Sequence, residues 1–232
     1  GYDIIAINNP RLTGVELLNN IDTYNMDGDA LTSGRLLITG ITGFAGSYLA
    51  SHLLKKGYEV SGTYLTDDSL RFLPEKDKFT LYKLNLLDES STLDLLRQDK
   101  PDFIFHLAAL TSPKNSFSNP KETFVNNVSA QINLLEAVKK NDLLSSRILI
   151  VSSAEVYGLV NKENLPIDEE TPFNPTNPYA VSKLAQDFLG LQYSIAEKMD
   201  IVRVRPFNHI GPRQSPDFVV SGFAKKIVEI EK

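Results

Sequence analysis

The sequence predicts an α/β protein built on a doubly wound parallel sheet, followed by the beginning of a smaller C-terminal domain. Three observations lead to this prediction. From residue 35 onward, apolar runs of strand length alternate with amphipathic runs of helix length. A glycine-rich turn joins the first of these strands to the first helix. The chain has 232 residues, 42% of them hydrophobic, which is enough to bury one large core.

Strands that alternate with helices need crossover connections, so we expect the strands to be parallel and covered by helices on both faces. The predicted strands are 35–39, 58–63, 79–84, 102–107, 147–152 and 201–205. The predicted helices are 44–56, 89–98, 121–140, 178–199 and 217–231. The first helix ends at Gly57, a residue type that often terminates helices.

The segment that precedes residue 35 has a different composition. Its first 33 residues carry five acidic side chains and one basic one, although the whole chain has a net charge of only −5. Residues 4–7 fit a short strand and 12–21 a short helix, whereas 22–34 are polar and turn-prone. We interpret 1–34 as an acidic extension and linker, with packing against the core as the alternative.

The composition also excludes several classes of function. Without cysteine, the chain has no disulfide framework, no thiolate zinc site and no cysteine nucleophile. Its three histidines (His52, His106 and His209) lack metal-ligand spacing, so we predict no metal site, and we interpret His106 as a histidine of the core. The negative charge opposes nucleic-acid binding. No apolar run has the length of a membrane span and no secretory signal is present, so we expect a cytoplasmic protein.

The turn between the strand 35–39 and the helix 44–56 has the pattern of a phosphate-binding loop. Gly40, Gly43 and Gly46 follow the strand 35–39 as G-x-x-G-x-x-G. The first glycine permits a tight turn, the second lets the backbone approach phosphates, and the third lets helix and sheet pack closely. The start of the next helix offers free N–H groups and a positive dipole to an anion. No Gly-Lys-Ser/Thr follows, so we predict a Rossmann-like dinucleotide site rather than a Walker loop.

The end of the second strand leaves the choice between NAD and NADP open. An acidic residue there would hydrogen-bond the ribose of NAD, and an arginine would accommodate the phosphate of NADP. Residues 61–65 contain neither, and Asp67, Asp68 and Arg71 lie a little beyond them.

A serine, a tyrosine and a lysine form the second chemical pattern. Ser153 follows the strand 147–152, and Tyr179 and Lys183 are four residues apart on the helix that begins near residue 178. Residues at i and i+4 share a helix face, so we expect the ammonium to lie near the phenol and to lower its pKa. Such a tyrosine can act as a general acid or base on a carbinol or carbonyl, with Ser153 hydrogen-bonded to the same oxygen.

Four motifs taken together resemble a known family. They are TGITGFAG (39–46), HLAA (106–109), VSSAEVYG (151–158) and YAVSK (179–183). In this order they are similar to the extended short-chain dehydrogenase/reductases that modify nucleotide sugars, over residues 35–232. The segment 205–220 is most similar to the reductases that act on GDP-4-keto-6-deoxy-mannose. Two departures are Ala130, where the family has glycine, and Asn85, where many members have an aspartate that contacts adenine.

The resemblance implies a role for each matching residue. The implied catalytic residues are Ser153, Tyr179, Lys183, Glu155 and Asn127. The implied cofactor contacts are Gly40, Thr42, Gly43, Phe44, Gly46, Asn85, Leu86, Leu107, Ala108, Ala109 and Lys183. The implied substrate contacts are Asn208, Arg213, Ser112 and Lys114.

The reaction indicated first is reduction of the C4 keto group of a nucleotide-linked 4-keto-6-deoxyhexose by NADPH or NADH. Hydride passes from the nicotinamide to the sugar, Tyr179 protonates the oxyanion, Ser153 orients it, and Lys183 holds Tyr179 and the ribose. A 4,6-dehydratase is an alternative, because Glu155 stands at the position of the dehydratase base. Ala154, however, cannot act as the acid partner. A 4-epimerase is a second alternative, disfavoured because the second strand lacks a terminal acid.

A dinucleotide-binding module without turnover is the non-enzymatic alternative, and a hydrolase is disfavoured because no G-x-S-x-G elbow is present. The resemblance also implies a homodimer formed through the helices 121–140 and 178–199. The predicted domains are the extension 1–34, a dinucleotide-binding and catalytic domain 35–205, and the start of a substrate domain, 206–232. We therefore expect dinucleotide binding with weak or absent turnover from a chain that stops at Lys232.

Overall fold

A computed structural model describes residues 4–7 and 34–231 of the chain. Its strands are β1 (Ile4–Ile7), β2 (Arg35–Thr39), β3 (Glu59–Tyr64), β4 (Thr80–Lys83), β5 (Phe103–His106), β6 (Arg147–Val151) and β7 (Ile201–Pro206). Its α-helices are α1 (Phe44–Lys55), α2 (Glu89–Asp99), α3 (Pro113–Ser118), α4 (Pro120–Lys140), α5 (Pro178–Glu197) and α6 (Val219–Ile230). Short 3₁₀ turns lie at Asp67–Phe72, Lys76–Lys78, Ala154–Tyr157 and Lys162–Asn164.

All seven strands form one parallel sheet in the order β1-β7-β6-β5-β2-β3-β4. On one side of β2 lie β3 and then β4, and on the other side lie β5, β6 and β7 in that order. The order reverses between β2 and β5, and ligands bind doubly wound sheets in the crevice at such a switch point. The predicted fold class is confirmed.

Two apolar cores cover the two faces of the sheet. Alternation along β2 shows the division, because Leu36 and Ile38 belong to one cluster and Leu37 to the other. The first cluster joins the sheet to α1 through Leu49 and Leu53. The second joins it to α2, α4 and α5, through residues that include Leu95, Leu96, Leu134, Leu135, Val138 and Tyr193. Both faces are thus buried, as parallel sheets require.

The predicted strands and main helices occur in the structure with boundaries shifted by a few residues at most. The strand predicted at 4–7 is confirmed as β1, and it pairs in parallel with β7 from Ile4 opposite Arg203 to Ile7 opposite Pro206. The helix predicted at 12–21 and the linker predicted at 22–34 lie outside the described residues, apart from Gly34. The structure adds the six-residue helix α3, which was not among the predicted helices.

The last described helix, α6, is amphipathic but has little to pack against. Its apolar side chains Phe223, Ile227 and Ile230 are exposed. Among the described residues, no helix is long and apolar enough to cross a membrane.

Candidate active site

The glycine-rich turn leaves β2 at the switch point. Gly40 has a φ of +71°, a conformation that glycine adopts without strain. Thr63 of β3 secures the turn, since its hydroxyl accepts from the Gly40 N–H at 3.1 Å and its carbonyl accepts from the Ile41 N–H at 3.0 Å. A Cβ on Gly46 would collide with the Gly40 carbonyl. The turn can therefore close only with glycine at these positions.

The start of α1 forms a cradle that fits the diphosphate of a dinucleotide. Its N-cap is Gly43, which supplies no side-chain hydrogen bond to the first N–H groups of the helix. A Cβ at Gly43 would fill the space beside the Gly40 carbonyl, 3.2 Å away. Uncapped N–H groups with no side chain in front of them are a suitable site for an anion. Thr42 and Phe44 flank Gly43, and their predicted contacts with the cofactor remain predictions.

The loop that follows β5 is fixed by two polar side chains. The Thr39 hydroxyl accepts from the N–H groups of Leu107 at 3.1 Å and Ala108 at 3.2 Å. Asn127 of α4 accepts from the Leu110 N–H at 2.7 Å and donates to the Leu110 carbonyl at 3.0 Å. Both side chains are fully buried. The predicted cofactor segment 107–109 is therefore held beside the glycine turn, and Asn127 acts on it through the backbone.

The predicted serine and tyrosine come together at the carboxyl end of β6. Ser153 lies close enough to the phenol of Tyr179 to lower its pKa, and both residues are buried. Glu155 lies close enough to raise the pKa of the phenol, and its carboxylate accepts a hydrogen bond from the Asn177 amide at 3.0 Å. Asn177 also caps α5 by accepting from the Ala180 N–H at 2.8 Å. Asn177 thus fixes both the start of α5 and the Glu155 side chain.

Lys183 lies one turn after Tyr179 on α5, and it is fully buried. Its ammonium donates to the Val151 carbonyl at 2.7 Å and to the Gln186 side-chain oxygen at 2.8 Å. Burial lowers the pKa of Lys183 to about 7. Two of the three ammonium protons are thus held by the protein, which leaves one for a ligand.

The expectation that Lys183 lowers the pKa of the phenol is wrong. The pKa of Tyr179 is raised, first by burial and also by Glu155, while Ser153 lowers it in part. The ammonium makes its hydrogen bonds to Val151 and Gln186 instead. Tyr179 therefore carries its proton at neutral pH.

At the far side of the crevice, Asn85 and Leu86 follow β4. The Asn85 side-chain oxygen accepts from the Leu87 N–H at 3.0 Å, so the amide shapes its own turn. Leu86 is buried, and its carbonyl accepts from Asn133 of α4 at 2.8 Å. The predicted adenine contacts of these residues remain predictions.

The predicted substrate residues are more dispersed. Ser112 caps α3 by accepting from the Asn115 N–H at 3.2 Å, and Lys114 and Asn208 are exposed. The guanidinium of Arg213 lies over the ring of Tyr48 in α1, 3.8 Å from its centroid. His209 stacks on Phe44 at 5.8 Å. The structure therefore packs the segment 209–213 against the helix of the glycine turn.

Sequence reasoning missed the structural roles of Thr39, Asn177 and Gln186. Thr39 precedes the glycine turn, and Asn177 precedes Pro178 as an N-cap signal, so both had a local signature. Gln186 is three residues after Lys183, a spacing that shares a helix face. Of the three, only Thr39 belongs to one of the four motifs, and the sequence analysis gave it no role.

Comparison with known proteins agrees with this geometry. A family model described as GDP-mannose 4,6 dehydratase matches residues 37–232. The GDP-6-deoxy-D-mannose reductase of Pseudomonas aeruginosa is 37% identical over 198 residues, which cover 85% of this chain and 60% of that protein. The GDP-mannose 4,6-dehydratase of Yersinia enterocolitica is 34% identical over 210 residues, which cover 84% of this chain and 55% of that protein.

Among solved structures, the structure of RMD from Pseudomonas aeruginosa complexed with NADPH superposes with a TM-score of 0.71 at 36% identity, covering 85% of this chain and 61% of that one. The parallel sheet with flanking helices is the fold of the extended short-chain dehydrogenase/reductases. Within that class, the chain belongs to the GDP-mannose 4,6 dehydratase family. It spans about 60% of the length of the P. aeruginosa reductase and 55% of that of the Y. enterocolitica dehydratase.

Proposed function

We propose that this protein reduces the C4 keto group of a nucleotide-linked 4-keto-6-deoxyhexose, with GDP as the nucleotide and NADPH or NADH as the reductant. The observation that favours this most is the buried pair of Ser153 and Tyr179, whose phenol keeps its proton. Reduction of a ketone needs such a proton donor, because the carbonyl oxygen becomes an oxyanion as hydride arrives. The similarity to a GDP-6-deoxy-D-mannose reductase supports the same substrate class.

The bound dinucleotide would supply the hydride, and the chain's own residues would place and protonate the sugar. The N–H groups at the start of α1 bind the diphosphate of the cofactor, and Lys183 donates its remaining proton to a ribose hydroxyl. Ser153 donates to the keto oxygen, and Tyr179 transfers its proton to that oxygen. The segment 107–110, held by Thr39 and Asn127, lines the crevice between the cofactor site and the sugar site. Asn208 and Arg213 are the proposed contacts to the nucleotide sugar, with Ser112 and Lys114 on the opposite loop.

The residues present fit both nicotinamide cofactors. The glycine turn and the uncapped helix start accept the diphosphate that NAD and NADP share. A relative's structure is described as complexed with NADPH. Beyond β3, Asp67 is paired with Lys83 and Asp68 with Arg71, so neither acid is left alone to repel a ribose phosphate.

A 4,6-dehydratase is the second candidate, and one observation favours it. The Glu155 carboxylate lies near enough to Tyr179 to affect its pKa, which is where a base for the sugar C5 proton is needed. The side chain that precedes it is the methyl of Ala154, which cannot protonate a leaving hydroxyl. The hydrogen bond from Asn177 also holds Glu155 in its loop.

We also propose that the protein forms a homodimer through α4 and α5. Val181, Phe188 and Ile195 recur every seven residues on α5, and each is more than 40% exposed. Phe124 of α4 is similarly exposed and lines an apolar depression together with Val181. An apolar strip of this kind on two neighbouring helices is suited to burial against a second copy.

The proposal is tested by single-turnover reduction with the protein in excess over substrate. NADPH or NADH and GDP-4-keto-6-deoxy-mannose are mixed with the protein, and loss of reduced-nicotinamide absorbance is followed while the sugar product is separated by chromatography. We expect Tyr179→Phe to slow the reaction by about 10²- to 10⁴-fold, the usual contribution of a general acid.

Two controls separate chemistry from binding. Tyr179→Phe should bind NADPH as the wild type does, whereas Gly46→Val should abolish binding, because its side chain would collide with the Gly40 carbonyl. A GDP-4-keto-6-deoxy-mannose product formed from GDP-mannose would support the dehydratase instead. Tight NADPH binding with no conversion of either sugar would identify a binding module without turnover.

A further inference from the structure

Gln186 is a fully buried polar residue that contacts the site from one turn beyond Lys183. Its side-chain oxygen accepts from the Lys183 ammonium at 2.8 Å. Its side-chain nitrogen lies 3.5 Å from Nε2 of His106 on β5. Its backbone carbonyl accepts from the Gln131 amide of α4 at 2.8 Å, which fixes the helix at this point. One amide thus joins the lysine of α5 to the histidine of the central sheet.

His106 connects this amide to the glycine turn. Because the amide oxygen of Gln186 faces the ammonium, its amide nitrogen faces Nε2 of His106, 3.5 Å away. His106 is neutral, since burial and the nearby Lys183 lower its pKa to about 3. Its Nδ1 accepts from the Thr39 hydroxyl at 2.9 Å, because both lone pairs of that hydroxyl are taken by N–H groups.

These contacts continue to the loop beside the glycine turn. The Thr39 hydroxyl that donates to His106 accepts from the N–H groups of Leu107 and Ala108. The side chains of Gln186, His106 and Thr39 therefore form a continuous series of contacts from the Lys183 ammonium to the loop that follows β5. A mere space-filling residue at position 186 would leave the ammonium with the Val151 carbonyl alone.

We propose that Gln186 is a positioning residue, which keeps the Lys183 ammonium charged and aimed into the crevice by accepting a hydrogen bond from it, with the amide held against His106. The role deepens the proposed function and rests on it, because the held ammonium is the group that would meet the cofactor ribose. Gln186 itself touches neither cofactor nor substrate.

The electrostatic surroundings of Lys183 make this acceptor important. Burial disfavours the ammonium and lowers its pKa to about 7, so its charge is poised near neutral pH. Neutral His106 lies beside Lys183. Asp187, which follows Gln186 on α5, is paired with Arg203 and Arg205. Tyr179 and Glu155 interact with each other. A hydrogen bond to the charged form from Gln186 offsets part of the cost of burial.

The test follows the titration of Lys183 in the cofactor-free protein by NMR of ¹³C-labelled lysine. The Lys183 resonance is identified by its loss in Lys183→Met. We expect Gln186→Leu to lower the midpoint by about one pH unit, the effect of one hydrogen bond to a charged group, and Gln186→Glu to raise it. The matched control Gln192→Leu changes an exposed glutamine of the same helix and should leave the midpoint unchanged.

Gln186→Met, which keeps the length of the side chain, guards against misfolding of the leucine variant. Folded Gln186→Leu and Gln186→Met proteins whose Lys183 midpoints equal that of the wild type would overturn the proposal. In a second measurement, Gln186→Leu and Gln186→Met should bind NADPH about fivefold more weakly at pH 7, because a midpoint lowered from about 7 by one unit reduces the charged fraction of Lys183 from about one half to about one tenth. A shifted midpoint with unchanged NADPH affinity would confirm the positioning of the ammonium and overturn the cofactor role of Lys183, so the two proposals fail separately.

Discussion

His106 makes the stability of the fold depend on pH, because its side chain is neutral in the folded protein. It is buried, and its ring lies between the Thr39 hydroxyl and the Gln186 amide. Its pKa is lowered to about 3, below the ordinary value of 6.5, first by burial and then by Lys183. The unfolded chain therefore binds a proton at this site between about pH 6.5 and 3, whereas the folded protein does not.

We expect the stability that depends on neutral His106 to be present above pH 6.5 and to be lost as the pH falls toward 3. The sign follows because the unfolded state binds more protons in this window, so acid favours unfolding. Urea unfolding at pH 7 and pH 5 measures the effect. The wild type should lose more stability between the two pH values than His106→Gln, which cannot titrate. Equal losses in the two proteins would show that the histidine titrates normally in the fold.

At the scale of elements, one buried carboxylate joins the catalytic helix to the sheet. Asp187 of α5 accepts from the guanidinium groups of Arg203 and Arg205 on β7, at 2.5 Å and 2.7 Å. Arg205 extends the contact by donating to the Tyr157 hydroxyl at 3.1 Å and by lying over the ring of Phe173. The network therefore fixes α5, β7 and the segment 157–173 relative to each other.

Removing the shared carboxylate leaves two buried guanidinium groups without their anion. We expect Asp187→Asn to lower the free energy of unfolding by about 3–5 kcal/mol, the cost of breaking a buried ion pair from one side. Urea or guanidinium unfolding measures it. The matched control is Asp200→Asn, which breaks the exposed pair with Arg147 and should cost at most about 1 kcal/mol. Equal costs for the two variants would contradict this account of the network.

The same scale shows why some elements were predictable. The helix predicted at 89–98 is α2, because its apolar period and its cap, Asp88, are both local features. The helix α3 has six residues, too few for a period, although Ser112 and Pro113 give a start signal. The direction of the Tyr179 pKa shift was not predictable, since it depends on burial and on the partners that Lys183 finds in β6 and Gln186. The spacing of residues within one helix carries no information about burial or about these partners.

At the scale of the molecule, the apolar strip on α5 and α4 is the basis for the proposed dimer. We expect the wild type to have the mass of two chains by light scattering after gel filtration. The double variant Val181→Glu and Ile195→Glu places two charges on the strip and should give the mass of one chain. Leu65→Glu, which changes an apolar residue that is 62% exposed beyond β3, should leave the mass unchanged. A wild type that is already monomeric would exclude the proposed dimer.

The sequence predicted the parallel sheet and its covering helices because strand and helix periods alternate without ambiguity from residue 35. It predicted the location of Ser153, Tyr179 and Lys183 for the same reason, since strand ends on one edge of a parallel sheet meet. It did not place the segment 209–213. The contacts of His209 with Phe44 and of Arg213 with Tyr48 join residues more than 160 positions apart, which no local pattern reveals.

The hydrogen bonds around the crevice also have a thermodynamic consequence. Thr39 and Asn127 already hold the loop 107–110, and Lys183 already has two of its partners, before any ligand is present. Ordering a flexible side chain on binding costs about 0.5–1.5 kcal/mol for each group. Here much of that entropy is lost when the chain folds, so a ligand that enters the crevice meets a site already organised to receive it.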